Sequence, residues 1–152
     1  MRFRGFTLVE IMVVVAIIAL LATISIPSLL RTRLMANESK AISGLRSIAT
    51  GAESYRAAQV SPSYPAALTD LIGSVPPFVT GFTSATKSGY VFDVACGSDP
   101  VNTFSATARP DAYGITGIRY FCIDHTGIMR GATASVFTAG TTCTNTAKQL
   151  GQ

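Results

Sequence analysis

The chain has 152 residues, 48% of them hydrophobic and only 13% charged, with a formal charge of +4. That apolar content argues against disorder, and the Lys and Arg residues are scattered rather than clustered with aromatics, so nucleic-acid binding has no support. Cys96, Cys122 and Cys143 lack zinc-ligand spacing and no glycine-rich phosphate loop follows a strand, so no metal, no cofactor and no enzyme activity are expected.

The chain is organised around the stretch from Arg4 to Pro27. From Ile11 to Leu30 there is no charge, and nearly every residue is Ile, Leu, Val, Met or Ala. At about 1.5 Å per residue such a helix reaches about 30 Å, the thickness of a bilayer's hydrocarbon core. Two basic residues, Arg2 and Arg4, precede it, with Gly5-Phe6 at the junction. A secretory signal places its small-residue cleavage site after the apolar region, whereas here the small residue lies before it. Glu10 is an acid at the edge of the span. A carboxylate inside a membrane segment is costly and calls for a partner. Pro27, inside the run, lacks an N–H and is expected to bend or break the helix.

The run R-G-F-T-L-V-E-I-M-V-V-V-A-I-I-A-L-L-A resembles the N-terminus of type IV prepilins and of the related type II secretion pseudopilins. The resemblance implies that residues 1–5 are a leader, cut by a prepilin peptidase between Gly5 and Phe6, and that the new amino group of Phe6 is N-methylated. It further implies that Glu10 pairs with the amino group of a neighbouring subunit during assembly. Residues 6–30 would then be a transmembrane and assembly helix. Arg31 and Arg33 balance Arg2 and Arg4, so flanking charge barely sets orientation. The cysteines and the resemblance place the N-terminus in the cytoplasm and the C-terminal domain outside. In that family the segment before the proline can lose helicity on polymerisation.

Residues 31–60 continue the helix in amphipathic form. Leu34, Ala41, Ile48 and Tyr55 recur every seven residues, with Leu45, Ala52, Ile42 and Ala49 beside them, which makes one apolar stripe. Arg33, Glu38, Lys40, Arg46, Glu53 and Arg56 fall largely off it. Asn37, Gly44 and Gly51 form a second line that suits either close approach of another subunit or mere tolerance of small residues. The stretch L-L-R-T-R-L-M-A-N-E is similar to the second half of the long helix of a bacterial pilin group, with Ser28 where that group usually has Asn. The helix is expected to end near Val60, before Ser61-Pro62 and Tyr64-Pro65.

Residues 61–152 read as a globular head. Ala66 to Ile72 suits one or two helical turns, and the segment from there to Ser88 reads as loop. Tyr90, Phe92 and Val94 alternate as a strand, Gly97 to Pro100 turns, and Thr103 to Ala108 is a second strand. After a connection over 109–117 come a third strand over 118–123, a turn at Asp124-His125-Thr126-Gly127, and a short fourth over 128–131. Short connections argue for an antiparallel meander, a sheet over about 89–131. In such a meander Cys96 and Cys122 end strands that are two apart, about 9.6 Å at 4.8 Å spacing. Disulfides rarely bridge more than about 7 Å between Cα atoms, which favours Cys122–Cys143. His125 reads as a turn residue. Asp93, Asp99, Asp111 and Asp124 form no compact calcium loop. The Thr/Ala/Gly-rich tail reads as loop with one more strand near 134–138.

The expected architecture is α+β: a long N-terminal helix, transmembrane then amphipathic, packed against a small antiparallel sheet, as in type IV pilins. The implied function is a structural subunit of a homo-oligomeric helical pilus. Membrane lipid is its partner before assembly, with the prepilin peptidase and the inner-membrane assembly machinery, and the product is extracellular. A type II secretion pseudopilin is the alternative within the family, and a monomeric signal-anchored binding domain the alternative outside it.

Overall fold

The computed structural model describes residues 5–133 together with Phe137, Cys143, Lys148 and Gln149. Residues 1–4 of the expected leader, and the strand expected over 134–138 apart from Phe137, lie outside the described residues. Helix α1 runs from Leu8 to Ala58 and a short helix α2 from Leu68 to Ile72. Among the described residues six strands follow: β1 Thr86–Lys87, β2 Tyr90–Cys96, β3 Phe104–Pro110, β4 Tyr120–Asp124, β5 Met129–Ala132 and β6 Lys148–Gln149. Contacts divide the chain into two units, one up to Arg33 and one from Leu34 onward.

In the first unit α1 is apolar around its whole circumference, and no side chain of the apolar run is buried. Its few hydroxyls are turned inward to the backbone. Thr23, Ser25 and Thr32 donate to the carbonyls of Ala19, Leu21 and Ser28 at 2.9–3.0 Å. A hydroxyl satisfied by its own helix needs no water, which suits a helix placed in lipid. The break expected at Pro27 is absent: α1 continues through it. The missing N–H leaves the Thr23 carbonyl without its usual donor, a single lost rung that the rest of the ladder spans.

The second unit is built on the amphipathic part of α1. Ala41, Leu45, Ile48 and Ala52 are buried, so the seven-residue stripe is the core face. The small-residue line is decided too. A Cβ on Gly44 would lie 3.0 Å from the Phe92 ring, and one on Gly51 would run into Val79 and the Phe78 carbonyl. The Asn37 amide donates to the Thr116 carbonyl at 3.0 Å. All three therefore admit the protein's own head rather than a second subunit. Helix α1 ends two residues short of Val60.

The sheet is antiparallel throughout, with strands in sequence order. Its register lines up Phe92, Ala108, Phe121 and Gly131 in one cross-strand row, and Val94, Ala106, Ile123 and Met129 in the next. Large and small side chains alternate across the first row, and Ala106 is the small member of the second. The alanines leave room for Leu45 and Ile48, which share one buried cluster with this face. Strands β1 and β6 are additions to the expected four; each is two residues long, too short for a periodicity to show. The other face of β3 and β4 is also closed, since Ser105, Thr107, Cys122 and Asp124 are all buried. Cys143 covers part of it, bonded to Cys122 with the Cα atoms 5.9 Å apart. Cys96, at the far end of β2, is a free thiol.

Candidate assembly site

Gly5, Phe6 and Thr7 form a non-helical lead-in to α1, and with Glu10 they line an open recess. Space around the Gly5 Cα is free of other atoms, and Phe6 is fully displayed to its surroundings. Thr7 is the residue immediately before the helix, and Glu10 lies three residues further on. The Glu10 N–H donates to Thr7 Oγ1 at 3.3 Å, while Glu10 Oε2 accepts from the Thr7 N–H at 2.8 Å and from its hydroxyl at 2.6 Å. This is a capping box, which satisfies backbone donors that a helix N-terminus would otherwise leave unpaired. The T-x-x-E spacing is visible in the sequence and announces it. Glu10 thus has a local task besides any intermolecular one. Among the described residues it makes no ion pair.

The acid that does make an ion pair is Glu38. The sequence pattern places it off the apolar stripe, yet it is buried on the core side of α1. Its Oε1 accepts from the Ile118 N–H at 3.2 Å, and its Oε2 from Arg119 at 2.7–2.8 Å. With Asn37 it pins the β3–β4 connection to the first turns of the head's helix. The Tyr90 hydroxyl, buried beneath, donates to the Arg119 carbonyl at 2.9 Å, and burial pushes its ionisation well above the ordinary phenol range. Asp124 ties down the tail: it accepts from the Thr126 N–H and hydroxyl on one oxygen and from the Cys143 N–H on the other. His125 sits in the turn and donates its N–H to the Phe104 carbonyl. Among the described residues no three His, Cys, Asp or Glu side chains converge as metal ligands.

A family model for the prokaryotic N-terminal methylation motif matches residues 1–26. The type IV major pilin protein PilA of Myxococcus xanthus is 43% identical over 54 residues, 36% of this chain and 24% of that protein. The type II secretion system core protein G of Pectobacterium carotovorum is 40% identical over 55 residues, 36% of this chain and 35% of that protein. The chain therefore spans well under half of the length of these two relatives. The type IV wide pilus major component PilA4 of Thermus thermophilus is different: it is 36% identical over 113 residues, 72% of this chain and 86% of that protein. A match of that length exceeds the 51 residues of α1 and must include part of the head. The chain belongs to the type IV pilin family. No solved structure matches this pilin significantly. Its long apolar helix and antiparallel sheet are the α+β architecture of pilins, a family of structural subunits.

Proposed function

We propose that this pilin is the structural subunit of an extracellular type IV pilus. It is held in the inner membrane by α1, with its N-terminus cytoplasmic, until a prepilin peptidase cuts between Gly5 and Phe6 and the Phe6 amino group is methylated. The observation that carries the reading is a helix apolar on every side, wholly without protein cover, that begins at an acid. Such a surface is stable only in lipid or among identical helices. Moving Glu10 into a bundle of helices buries a carboxylate, which is costly without a cation. The apolar run carries none, so the amino group of a neighbour's Phe6 is the natural one. Pairing requires one axial offset and therefore selects the register between subunits. Pro27 marks the rung at which the helix opens most easily as subunits stagger.

The capping box makes the test sharp. Glutamine serves the N3 position of such a box as glutamate does, so Glu10→Gln keeps the helix start and removes only the charge. It is expected to give folded, cleaved, membrane-inserted protein with few or no filaments in a strain where it is the sole subunit. Normal numbers of filaments would overturn the pairing. Intact-mass measurement of assembled material should find a chain beginning at methylated Phe6. The similarity to core protein G sustains a second reading, a pseudopilus subunit; long fibres sheared from the cell surface favour the pilus, short periplasmic assemblies the pseudopilus.

A further inference from the structure

Two polar groups in the apolar run of α1 are left without partners. Thr23, Ser25 and Thr32 turn their hydroxyls to their own helix, but among the described residues the Ser28 hydroxyl makes no hydrogen bond. The other group is the Thr23 carbonyl, whose usual donor is replaced by the ring of Pro27. One is a donor and the other an acceptor, yet they cannot meet within one chain. A helical serine reaches back three or four residues, to the Ser25 or Ile24 carbonyl, and Thr23 lies five back.

No water is at hand in hydrocarbon to serve either group. A carbonyl freed by proline in such a helix is re-satisfied by hydroxyl side chains or by neighbouring helices. Ser28 lines a shallow recess with Ser25, Leu29 and Thr32, where short side chains leave room for the backbone of another helix.

Two spacings in α1 select the copy and the height. Glu10 and Ser28 are 18 residues apart, about five turns, and so stand on the same side of the helix. Pairing Glu10 with a neighbour's Phe6 amino group shifts that neighbour by about four residues, roughly 6 Å at 1.5 Å per residue. The same shift brings Ser28 level with the neighbour's Ile24. Helical carbonyls lean toward the C-terminus, so the free oxygen of the neighbour's Thr23 lies at that height. On each helix this oxygen sits on the side of Pro27, about 100° around from Ser28. The contact therefore joins different surfaces of two copies, the head-to-tail kind that propagates into a filament.

We propose that in the filament the Ser28 hydroxyl of one subunit donates to the Thr23 carbonyl of the neighbour whose Phe6 pairs with its Glu10. The rung left free by Pro27 is thereby closed between subunits, and the register set at Glu10 is fixed a second time about five turns further along. This contact rests on the filament reading and on the Glu10–Phe6 pairing proposed above.

Fibres sheared from cells making each variant as the sole subunit would be held in mild detergent, and the subunit left in solution at equilibrium measured. Ser28→Ala should raise it about three- to tenfold, the effect of one interhelical hydrogen bond in apolar surroundings. Pro27→Ala returns an N–H to the Thr23 carbonyl, so adding Ser28→Ala to it should release no more subunit than Pro27→Ala alone. Ser25→Ala, whose hydroxyl serves its own helix, should match wild type. Ser28→Ala fibres as stable as wild type would overturn the contact, as would an equal loss from Ser28→Ala in the Pro27→Ala background. If Ser28→Ala makes no fibres, Pro27→Ala must restore them, and failure to do so refutes the carbonyl as the acceptor. Reconstruction of wild-type fibres at side-chain resolution reads the contact directly: Ser28 Oγ against the neighbour's Thr23 oxygen is expected, and a helix unwound there or Ser28 turned to another group overturns it. Absence of wild-type fibres would instead refute the pilus reading, and normal fibres from Glu10→Gln would refute the pairing that sets the offset.

Discussion

Glu38 is the residue through which the head is held to its own helix, and removing its carboxylate is the most informative perturbation of the fold. Glu38→Ala strips the acceptor from the Ile118 N–H and from Arg119. The first loss is the larger, but the Ile118 N–H is only part-buried, so it lies toward the lower end of the about 1–3 kcal/mol that an unpaired buried donor costs. The second is modest. The Arg119 side chain is 41% exposed and can turn to water, so its ion pair is discounted toward the surface value of about 0–1 kcal/mol. The total is about 1–3 kcal/mol. For a head of about 100 residues, with each kcal/mol moving Tm by about 4–8 °C, the shift is on the order of 10 °C. All five tyrosines lie in the head, so near-ultraviolet circular dichroism of the full chain in detergent follows the head and ignores the anchor. Glu38→Gln should fall between wild type and alanine: one amide oxygen can still serve Ile118, but the amide nitrogen then faces Arg119, donor against donor. A Glu38→Ala transition within about 2 °C of wild type, well under the effect of 1 kcal/mol, would refute the reasoning. The clasp would then be replaceable by water.

Three further outcomes are expected. Gly51→Ala should destabilise the head by about 1–2 kcal/mol in chemical denaturation, because overpacking against Val79 and the rigid Phe78 carbonyl exceeds the gain in helix propensity. Reducing Cys122–Cys143, or replacing both with Ser, opens a loop closed across 21 residues and should lower stability by about 3 kcal/mol, read as a lower denaturant midpoint. Tyr90 governs the alkaline limb. Because burial raises its ionisation in the folded state, its contribution is complete below the unfolded value of about 10 and is lost as pH rises toward the folded value. Tyr90→Phe should cost about 1 kcal/mol at neutral pH for the lost bond to Arg119, yet show a flatter decline in stability above about pH 10.

What the sequence by itself determined were the features carried by near neighbours. The uncharged run to Leu30, the seven-residue stripe from Leu34 to Tyr55 and the alternation of Tyr90, Phe92 and Val94 each follow from the period of a single element. The Thr7–Glu10 box belongs in the same class, since both partners lie within one turn. Tertiary structure alone decided matters that depend on who faces whom. Glu38 looks like a solvated charge until Arg119, 81 residues away, is placed beside it. Gly44 and Gly51 look open to any neighbour until Phe92 and Val79 are found against them. Burial of Ser105, Thr107 and Asp124 on the second face of β3 and β4, part of it under Cys143, is another such matter. Pro27 carries a strong local signal for a break, and a helix that loses only one rung passes through it. For Glu38, the two glycines and the second face of the sheet the reason is common: a side chain's periodicity reports which way it points from its own element, whereas its burial and pairing depend on chain segments brought there by the fold.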